Sequence, residues 1–306
     1  MQFGLLSAIL DGWTFEESVE LASSIGFTTM ELAAWPKGTA ERRYAGVSHI
    51  DVKRVLYDTE YVAYMQETLA KNKMSISSLA YYPNPLDRQL EKRQAALEHL
   101  ELVIQASAKL GIGLVTTFIG RDQFGTVEEN LALVKTVWPH LLDCAKDADV
   151  KIGIENCPML FGPEQWPGGQ NIMSTPALWH KVFDILDSDY LGLNFDPSHF
   201  VWQQLDYVGA VYEFADKLFH IHLKDIKLRR DKLSRVGTMA YPLDYMLPKI
   251  PGLGDVNWGH FISALTDVAY TGPVVLEVED KSFEGSKERV IDSIKQSYRY
   301  LSPFIS

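Results

Sequence analysis

The chain has 306 residues, of which 46% are hydrophobic, and this length allows one large domain or two ordinary ones. With 29 basic and 40 acidic residues, its formal net charge is −11. This charge argues against a nucleic-acid coat and against a protein that binds anionic membranes, because both need a positive field to attract phosphates.

Short apolar runs alternate with longer amphipathic runs along the whole chain, and this alternation predicts strands that are each followed by a helix. Thr14 and Glu17 have the spacing of a capping box, and Gly26 is a helix stop. The predicted strands cover residues 3–6, 28–32, 75–80, 113–119, 151–155, 191–196, 218–223 and 274–279. The predicted helices cover residues 14–25, 61–73, 88–110, 127–148, 176–186, 206–216, 258–269 and 286–300.

Eight strand–helix alternations predict an α/β fold, a closed (β/α)8 TIM barrel that forms a single domain over residues 1–306. An open doubly wound sheet is the alternative. No Gly-x-Gly-x-x-Gly follows the first predicted strand, and no change of composition indicates a linker, so the barrel is favoured. Two long loops, residues 36–52 and 225–257, are expected on the active face and over the barrel mouth.

The last four predicted strands carry polar side chains at the parity that faces the barrel interior, while their apolar residues face the helices. Active sites of such barrels lie at the carboxyl ends of the strands. Several carboxylates converging there need a counter-ion, which a divalent cation supplies. The inward polar residues are Glu155, Asp196, His220, His222, Glu277 and Glu279.

A set of three carboxylates and one imidazole suits Mn²⁺, Mg²⁺ or a similar cation better than structural zinc, which favours thiolates. Parity leaves two choices open, between His220 and His222 and between Glu277 and Glu279. Depth along the strand favours His222, which is nearer the mouth. For each residue alone, a solvated loop residue or a hydrogen-bonded core residue is the alternative interpretation.

Seven further features stand out together: residues 154–159, 192–199, 220–225 and 275–280, with 252–255, Trp258 and 42–47 in addition. These segments resemble the sugar phosphate isomerase/epimerase family, which has a xylose-isomerase-like TIM barrel. The resemblance covers essentially the whole chain and implies four metal ligands, Glu155, Asp196, His222 and Glu277. It favours Glu277 over Glu279.

The same superfamily contains a DNA-repair endonuclease with a three-metal site, whose pattern needs further histidines. Residues 79–83 and 117–121, where two of them are expected, contain none, and Asp231 is followed two places later by Leu233 instead of a histidine. A metal-dependent AP endonuclease is therefore disfavoured. A non-catalytic partner subunit is disfavoured too, because the ligand set is intact.

The predicted function is that of a divalent-metal-dependent isomerase or epimerase of sugars or keto-sugars (EC 5), in which protons move through a metal-stabilised enediolate. Glu155 and Glu277 are predicted to be acid/base residues as well as ligands. The alternative is a lyase or dehydratase that acts on a keto-sugar or keto-inositol with the same metal site. No glycine-rich phosphate loop is evident, so a phosphorylated substrate is not favoured.

Five residues are predicted to contact substrate. Each has a structural alternative: a helix cap for His199, a solvated side chain for Lys224, Glu31 or Arg43, and ordinary packing for Trp35. The expected cofactor is one divalent metal ion, Mn²⁺ first, with Mg²⁺, Co²⁺ or Zn²⁺ as alternatives. The expected partners are a small-molecule sugar or keto-sugar and no nucleic acid or membrane, and a homo-oligomer is left open.

Two cysteines, Cys144 and Cys157, cannot form a disulfide framework, which predicts a reducing compartment. The first residues lack the basic region of a secretory signal, and no uncharged apolar stretch is long enough to span a membrane. A cytoplasmic location is therefore expected.

Overall fold

The computed structural model describes residues 1–36, 46–160 and 162–305. The strands are β1 (Gln2–Leu6), β2 (Thr29–Ala33), β3 (Ser75–Ala80), β4 (Leu114–Thr117), β5 (Lys151–Glu155), β6 (Leu191–Phe195), β7 (Leu218–Leu223), β8 (Asp225–Leu228), β9 (Met246–Lys249) and β10 (Pro273–Leu276). The helices are α1 (Phe15–Ile25), α2 (Val52–Tyr57), α3 (Thr59–Asn72), α4 (Leu90–Leu110), α5 (Val127–Asp147), α6 (Pro176–Ile185), α7 (Ser198–Gln203), α8 (Tyr207–Glu213), α9 (Arg230–Val236), α10 (Trp258–Asp267) and α11 (Lys287–Leu301).

Eight of the strands form a closed parallel barrel in the order β1-β10-β7-β6-β5-β4-β3-β2. The barrel closes because β1 pairs with both β10 and β2. Gly4 of β1 is in register with Val275 of β10 on one side and with Thr29 of β2 on the other. The predicted (β/α)8 TIM barrel is confirmed. The remaining strands, β8 and β9, form an antiparallel hairpin outside the barrel.

The helix ends follow the local sequence. Thr14 and Glu17 form the predicted capping box at the start of α1, which satisfies two backbone amides that have no partner within the helix. Gly26 ends that helix at a φ of +118°, a left-handed conformation that glycine adopts without strain. Thr126 and Glu129 make the same capping box at the start of α5.

Several bounds differ from the sequence prediction. β10 ends at Leu276, so Glu277 and Glu279 lie in the loop beyond the strand. Helix α2 was not predicted, because the predicted loop ends at its first residue, Val52, and the residues after it were left unassigned. Asp51 caps this helix by accepting from the Arg54 amide. Helix α7 was also missed, because six residues are too few to show a helical period.

The core lies between the outer faces of the strands and the helices that surround them. Trp138, Trp179 and Trp258 are its largest fully buried side chains. The hairpin within residues 225–257 packs on α7, which follows β6 at the carboxyl end of the barrel, through a small core that includes Trp202, Ile226 and Tyr245. This segment therefore lies at the barrel mouth, as expected. None of the described helices is long and apolar enough to cross a membrane.

Candidate metal centre and active site

Four neighbouring strands bring the predicted ligands to the same end of the barrel. Glu155 is the last residue of β5, Asp196 follows β6, His222 is the fifth residue of β7, and Glu277 follows β10. The strand register sets a common depth, because β5 pairs with β6 and β7 pairs with both β6 and β10. The four residues, far apart in sequence, therefore converge at the barrel mouth.

Each of these four side chains presents one buried atom that has no hydrogen-bond partner among the described residues. The atoms are Oε1 of Glu155, Oδ2 of Asp196, Nδ1 of His222 and Oε2 of Glu277. A buried polar atom without a partner is costly and rare in proteins. Four such atoms in one place are the arrangement that a bound cation would satisfy, so the donor set fits a divalent metal ion.

Three of the donor atoms are close enough to share one ion. Nδ1 of His222 lies 3.1 Å from Oε2 of Glu277 and 3.7 Å from Oε1 of Glu155, and the three atoms are mutually within 4.8 Å. Two carboxylates and one neutral imidazole are suitable ligands for Mn²⁺, Mg²⁺ or Zn²⁺.

Asp196 lies beside this trio and is linked to it by Lys224. The ammonium Nζ is 3.2 Å from Oδ2 of Asp196, 3.1 Å from Oε2 of Glu277 and 3.9 Å from Oε1 of Glu155. Only 5% of the Lys224 side chain is exposed. We name Glu155, Asp196, Glu277 and Lys224 the mouth cluster. Lys224 supplies its internal positive charge.

His199 borders the mouth cluster from α7. Its Nε2 lies 3.2 Å from Oδ2 of Asp196 and 3.6 Å from Oε1 of Glu155, and neither ring nitrogen makes a hydrogen bond with the described residues. The side chain is 9% exposed. The helix-cap alternative is not favoured, because the residue before α7, Pro197, has no side-chain cap bond and the His199 ring lies among the carboxylates.

The other ring nitrogen of His222 belongs to a fully bonded group of side chains. Nε2 donates to Oε2 of Glu31 at 2.6 Å, while Oε1 of Glu31 accepts from the hydroxyls of Tyr82 and Thr116, each at 2.6 Å. Asn194 donates to the Tyr82 oxygen and accepts from Nδ1 of His220. We name Glu31, Tyr82, Thr116, Asn194 and His220 the closed network. With Nε2 engaged there, Nδ1 is the ring nitrogen of His222 that faces the mouth.

Electrostatics separates the two groups further. Burial alone would raise the pKa of Glu31, but His222 and His220 outweigh it and hold that pKa at about 2. Burial and His222 lower the pKa of His220 to about 4, so this imidazole is neutral. In the mouth cluster, burial and the charge of Glu155 raise the pKa of Glu277. Burial opposes the charge of Lys224, yet Glu277 and Asp196 raise its pKa well above the ordinary value.

The geometry favours one member of each pair that parity left open. His220 bonds Ser77 at 3.3 Å and Asn194 at 2.9 Å, so both its ring nitrogens are used below the mouth. Glu277 approaches Nδ1 of His222, whereas the ion pair of Glu279 within the described part of the chain is with Lys224, at 3.7 Å. Glu31, His220 and His222 also lie within 4.8 Å of one another, but their facing atoms already bond within the closed network. The better candidate for a metal site is therefore the group at the mouth that contains Glu155, His222 and Glu277.

Three predicted substrate contacts remain: Glu31, Trp35 and Arg43. Glu31 is fully buried behind His222, an arrangement that favours positioning of the imidazole over contact with substrate. The Trp35 ring packs edge-on against Tyr81, and Tyr81 in turn packs against His99 of α4. The described ring contact of Trp35 is therefore with a residue that packs on the outer helices. Arg43 lies outside the described residues.

Several supporting residues were missed. Asn156 holds the backbone of Asp196 with two hydrogen bonds, 2.9 Å to its carbonyl and 2.7 Å from its amide. Asn171 donates to the carbonyl of Glu155 at 2.8 Å. Asn194, Tyr82 and the other members of the closed network were not assigned this role. Asn194 could have been found, since it shares the inward parity of Asp196 on the same strand.

Asp225, directly after Lys224, is a buried hub that ties residues 250–258 to the barrel. Its carboxylate accepts from the amides of Ile226, Gly252 and Val256 and from the Trp258 indole. Gly254 packs against this carboxylate, where a Cβ would collide with Oδ1 of Asp225. The need for a glycine there is therefore steric.

Comparison with known proteins agrees with the barrel. A family profile described as Xylose isomerase-like TIM barrel matches residues 19–301. The chain belongs to the xylose isomerase-like TIM barrel family. Its curated relatives include the uncharacterized protein YfiH of Bacillus subtilis, 23% identical over 97% of this chain and 99% of that protein. Inosose dehydratase of Clostridium perfringens is 29% identical, over 35% of this chain and 37% of that enzyme.

Solved structures of family members share the whole fold. The IOLI protein, solved with a zinc atom, has a TM-score of 0.72 at 17% identity and covers all of both chains. D-psicose 3-epimerase, solved in the presence of D-fructose, has a TM-score of 0.70 at 15% identity and covers 100% of this chain and 99% of its own. At these sequence identities, the similarity to the solved structures shows the fold of this protein.

Proposed function

We propose that this protein is a divalent-metal-dependent isomerase or epimerase of sugars or keto-sugars. The single observation that carries the proposal is the set of four buried donor atoms without hydrogen bonds at the barrel mouth. Proteins of the same fold that act on small sugars, among them D-psicose 3-epimerase, support the substrate class.

We propose Glu155, Asp196, His222 and Glu277 as the metal ligands, with Mn²⁺ as the first candidate and Mg²⁺, Co²⁺ and Zn²⁺ as alternatives. Held by these residues, a divalent ion would supply positive charge beside a substrate carbonyl and a neighbouring hydroxyl, which would stabilise the negative charge of an enediolate. Glu31 holds Nε2 of His222 so that Nδ1 faces the mouth. Asn156 and Asn171 fix the backbones of Asp196 and Glu155.

Glu155 and Glu277 are the proposed acid and base. They come from β5 and the end of β10, with Nδ1 of His222 between them at 3.7 Å and 3.1 Å. One carboxylate takes the proton bound to the α-carbon, and the electron pair of that bond moves into the enediolate. For epimerisation the other, protonated carboxyl returns a proton to the opposite face. For a 1,2-shift the first carboxyl returns the proton to the neighbouring carbon.

Lys224 and His199 are the proposed substrate contacts that border this site. Both are nearly buried and lie within 4 Å of two mouth carboxylates. The ammonium of Lys224 is placed to donate hydrogen bonds to the substrate oxygen on which negative charge develops, and His199 to bond a substrate hydroxyl. For Glu31 we propose positioning of His222 in place of substrate contact.

A second candidate is a lyase or dehydratase that acts on a keto-sugar or keto-inositol. The partial similarity to inosose dehydratase favours it. The first step is the same removal of an α-proton, and the product differs only because a β-hydroxyl leaves as water instead of a proton returning to carbon.

The decisive experiment is incubation of Mn²⁺-loaded protein with a panel of ketoses and keto-sugars in D₂O, followed by NMR. Deuterium at an α-carbon together with interconverted sugars is the expected result. An unsaturated product would select the dehydratase instead. Absence of bound metal and of exchange with every substrate would refute both.

A further inference from the structure

A second group of metal-binding side chains lies on the outer helices, away from the barrel mouth. Glu101 belongs to α4, and His140 and Cys144 belong to α5. His140 and Cys144 are four residues apart, which places both side chains on one face of the helix. Glu101 reaches the same face from the neighbouring helix.

The three donor atoms converge. Nε2 of His140 lies 3.1 Å from Oε1 of Glu101 and 3.9 Å from Sγ of Cys144, and all three atoms are mutually within 4.8 Å. A tetrahedral zinc ion with Zn–N and Zn–O distances of about 2.0 Å and a Zn–S distance of about 2.3 Å puts N and O about 3.3 Å apart and N and S about 3.6 Å apart. The two spacings that involve His140 agree with these values to within about 0.3 Å, and side chains that are not fully buried can make adjustments of this size.

The local charge favours a cation. Burial raises the pKa of the Cys144 thiol, and the charges of Glu101, Asp147 and Asp143 raise it further. This thiol is therefore a poor nucleophile at neutral pH, and its surroundings do not suggest a redox or catalytic cysteine. A bound metal ion would offset this negative charge and displace the thiol proton to solvent.

We propose that Glu101, His140 and Cys144 form a separate binding site for one zinc-class cation, with a water molecule in the fourth position. Its ligands differ in kind from those at the mouth. A thiolate selects soft or borderline ions such as Zn²⁺, Co²⁺ or Cd²⁺, whereas carboxylates with one imidazole also accept Mn²⁺ and Mg²⁺. The bound ion joins α4 to α5 in the outer ring, and the proposal does not depend on the proposed function.

The test is a titration of the metal-free full-length protein with Co²⁺ while the near-ultraviolet thiolate-to-cobalt charge-transfer band is recorded. Because the proposed mouth site also accepts Co²⁺, we expect the band to saturate by two equivalents in the wild type and to vanish in Cys144→Ser. Cys157→Ser is the matched control, because it removes the other thiol, which lies by the mouth in contact range of Glu155 and His199. It should keep the full band.

A second, independent variant is His140→Ala, whose exposed position makes misfolding an implausible cause of any loss; circular dichroism checks the fold. This variant should weaken the charge-transfer band although the Cys144 thiol is still present. Absence of the band in the wild type would overturn the proposal. So would a band that survives in Cys144→Ser, or one that is lost in Cys157→Ser, which would place the thiolate ligand at the mouth.

Discussion

The closed network and the mouth cluster are adjacent layers of the same barrel, and they differ in how their polar atoms are satisfied. In the closed network the oxygens of Glu31 accept three hydrogen bonds of 2.6 Å, and both nitrogens of His220 have partners. In the mouth cluster each of the three carboxylates keeps one buried oxygen that makes no hydrogen bond with the described residues. Two of these oxygens, on Asp196 and Glu277, lie within ion-pair distance of Lys224, at 3.2 Å and 3.1 Å. His222 spans the two layers, with Nε2 in the first and Nδ1 facing the second.

This difference separates support from binding. A network whose hydrogen bonds are complete is rigid and gains nothing from a ligand. In a layer whose buried carboxylate oxygens lack hydrogen bonds, this lack raises the free energy of the folded protein, and a bound ion can offset that cost. The carboxylates of the two layers should therefore respond differently to substitution, and the predictions below test that contrast.

The largest expected effect follows from Glu155→Gln or Glu277→Gln. Each change removes a proposed acid or base and should lower the turnover of the metal-loaded enzyme by about 10²–10⁴-fold. Initial rates at saturating sugar measure it, with bound metal determined for each variant. Glu279→Gln is the matched control from the same loop and should change the rate far less. Full turnover in both metal-loaded variants would show that the acid/base role is wrong.

Metal removal comes next. A ligand that binds only the folded state stabilises it by about 2.7 kcal/mol at a concentration of 100 times its Kd. Chelation of the metal should therefore lower the unfolding midpoint, and Mn²⁺ should restore it in the wild type. Zn²⁺ would also bind the proposed site at Cys144 on the outer helices and stabilise the protein there, so Mn²⁺ is the ion to use. An equal Mn²⁺ response in Glu155→Gln and wild type would contradict the mouth site.

Glu31→Gln should act on the metal without touching it. The amide cannot reproduce the charge-assisted bond that orients His222, so metal affinity should fall by about 10–100-fold. Competition with a chelating dye measures this. Thr116→Val, which removes another hydrogen bond to Glu31 but leaves His222 paired, is the control for general damage to the network. If both variants lost affinity equally, the positioning role of Glu31 would be unsupported.

The smallest effect is expected from Tyr82→Phe. The hydroxyl donates to Glu31, but Thr116 and His222 still bond that carboxylate, so the free energy of unfolding should fall by only about 1 kcal/mol. The urea midpoint of the metal-free protein measures it. A loss of stability confined to the metal-loaded form would mean that Tyr82 belongs functionally to the mouth.

Much of the fold could be predicted from local sequence. The alternating strand and helix patterns predict the barrel, and strand bounds such as Ser75–Ala80 and Lys151–Glu155 match the prediction. The end of β10 was placed three residues too late, because Val278 continues the apolar alternation after the strand pairing has ended. The short helices α2 and α7 gave too little periodic signal.

For the candidate site, parity and the family resemblance predicted which side chains point inward. They did not predict what those side chains touch. Glu31 was expected to meet substrate, yet its partner is His222, 191 residues away in sequence. Lys224 was weighed as a solvated loop residue, yet its ammonium lies among four carboxylates.

The amino-acid sequence by itself determined the barrel and the inward parity of Glu155, Asp196, His222 and Glu277, because hydrophobic periodicity is a local property of each strand. Only the tertiary structure decided which of these polar groups satisfy one another and which stay unsatisfied. That division depends on distances across a closed barrel, where Glu31 of β2 bonds His222 of β7 although the two strands are not neighbours in the sheet.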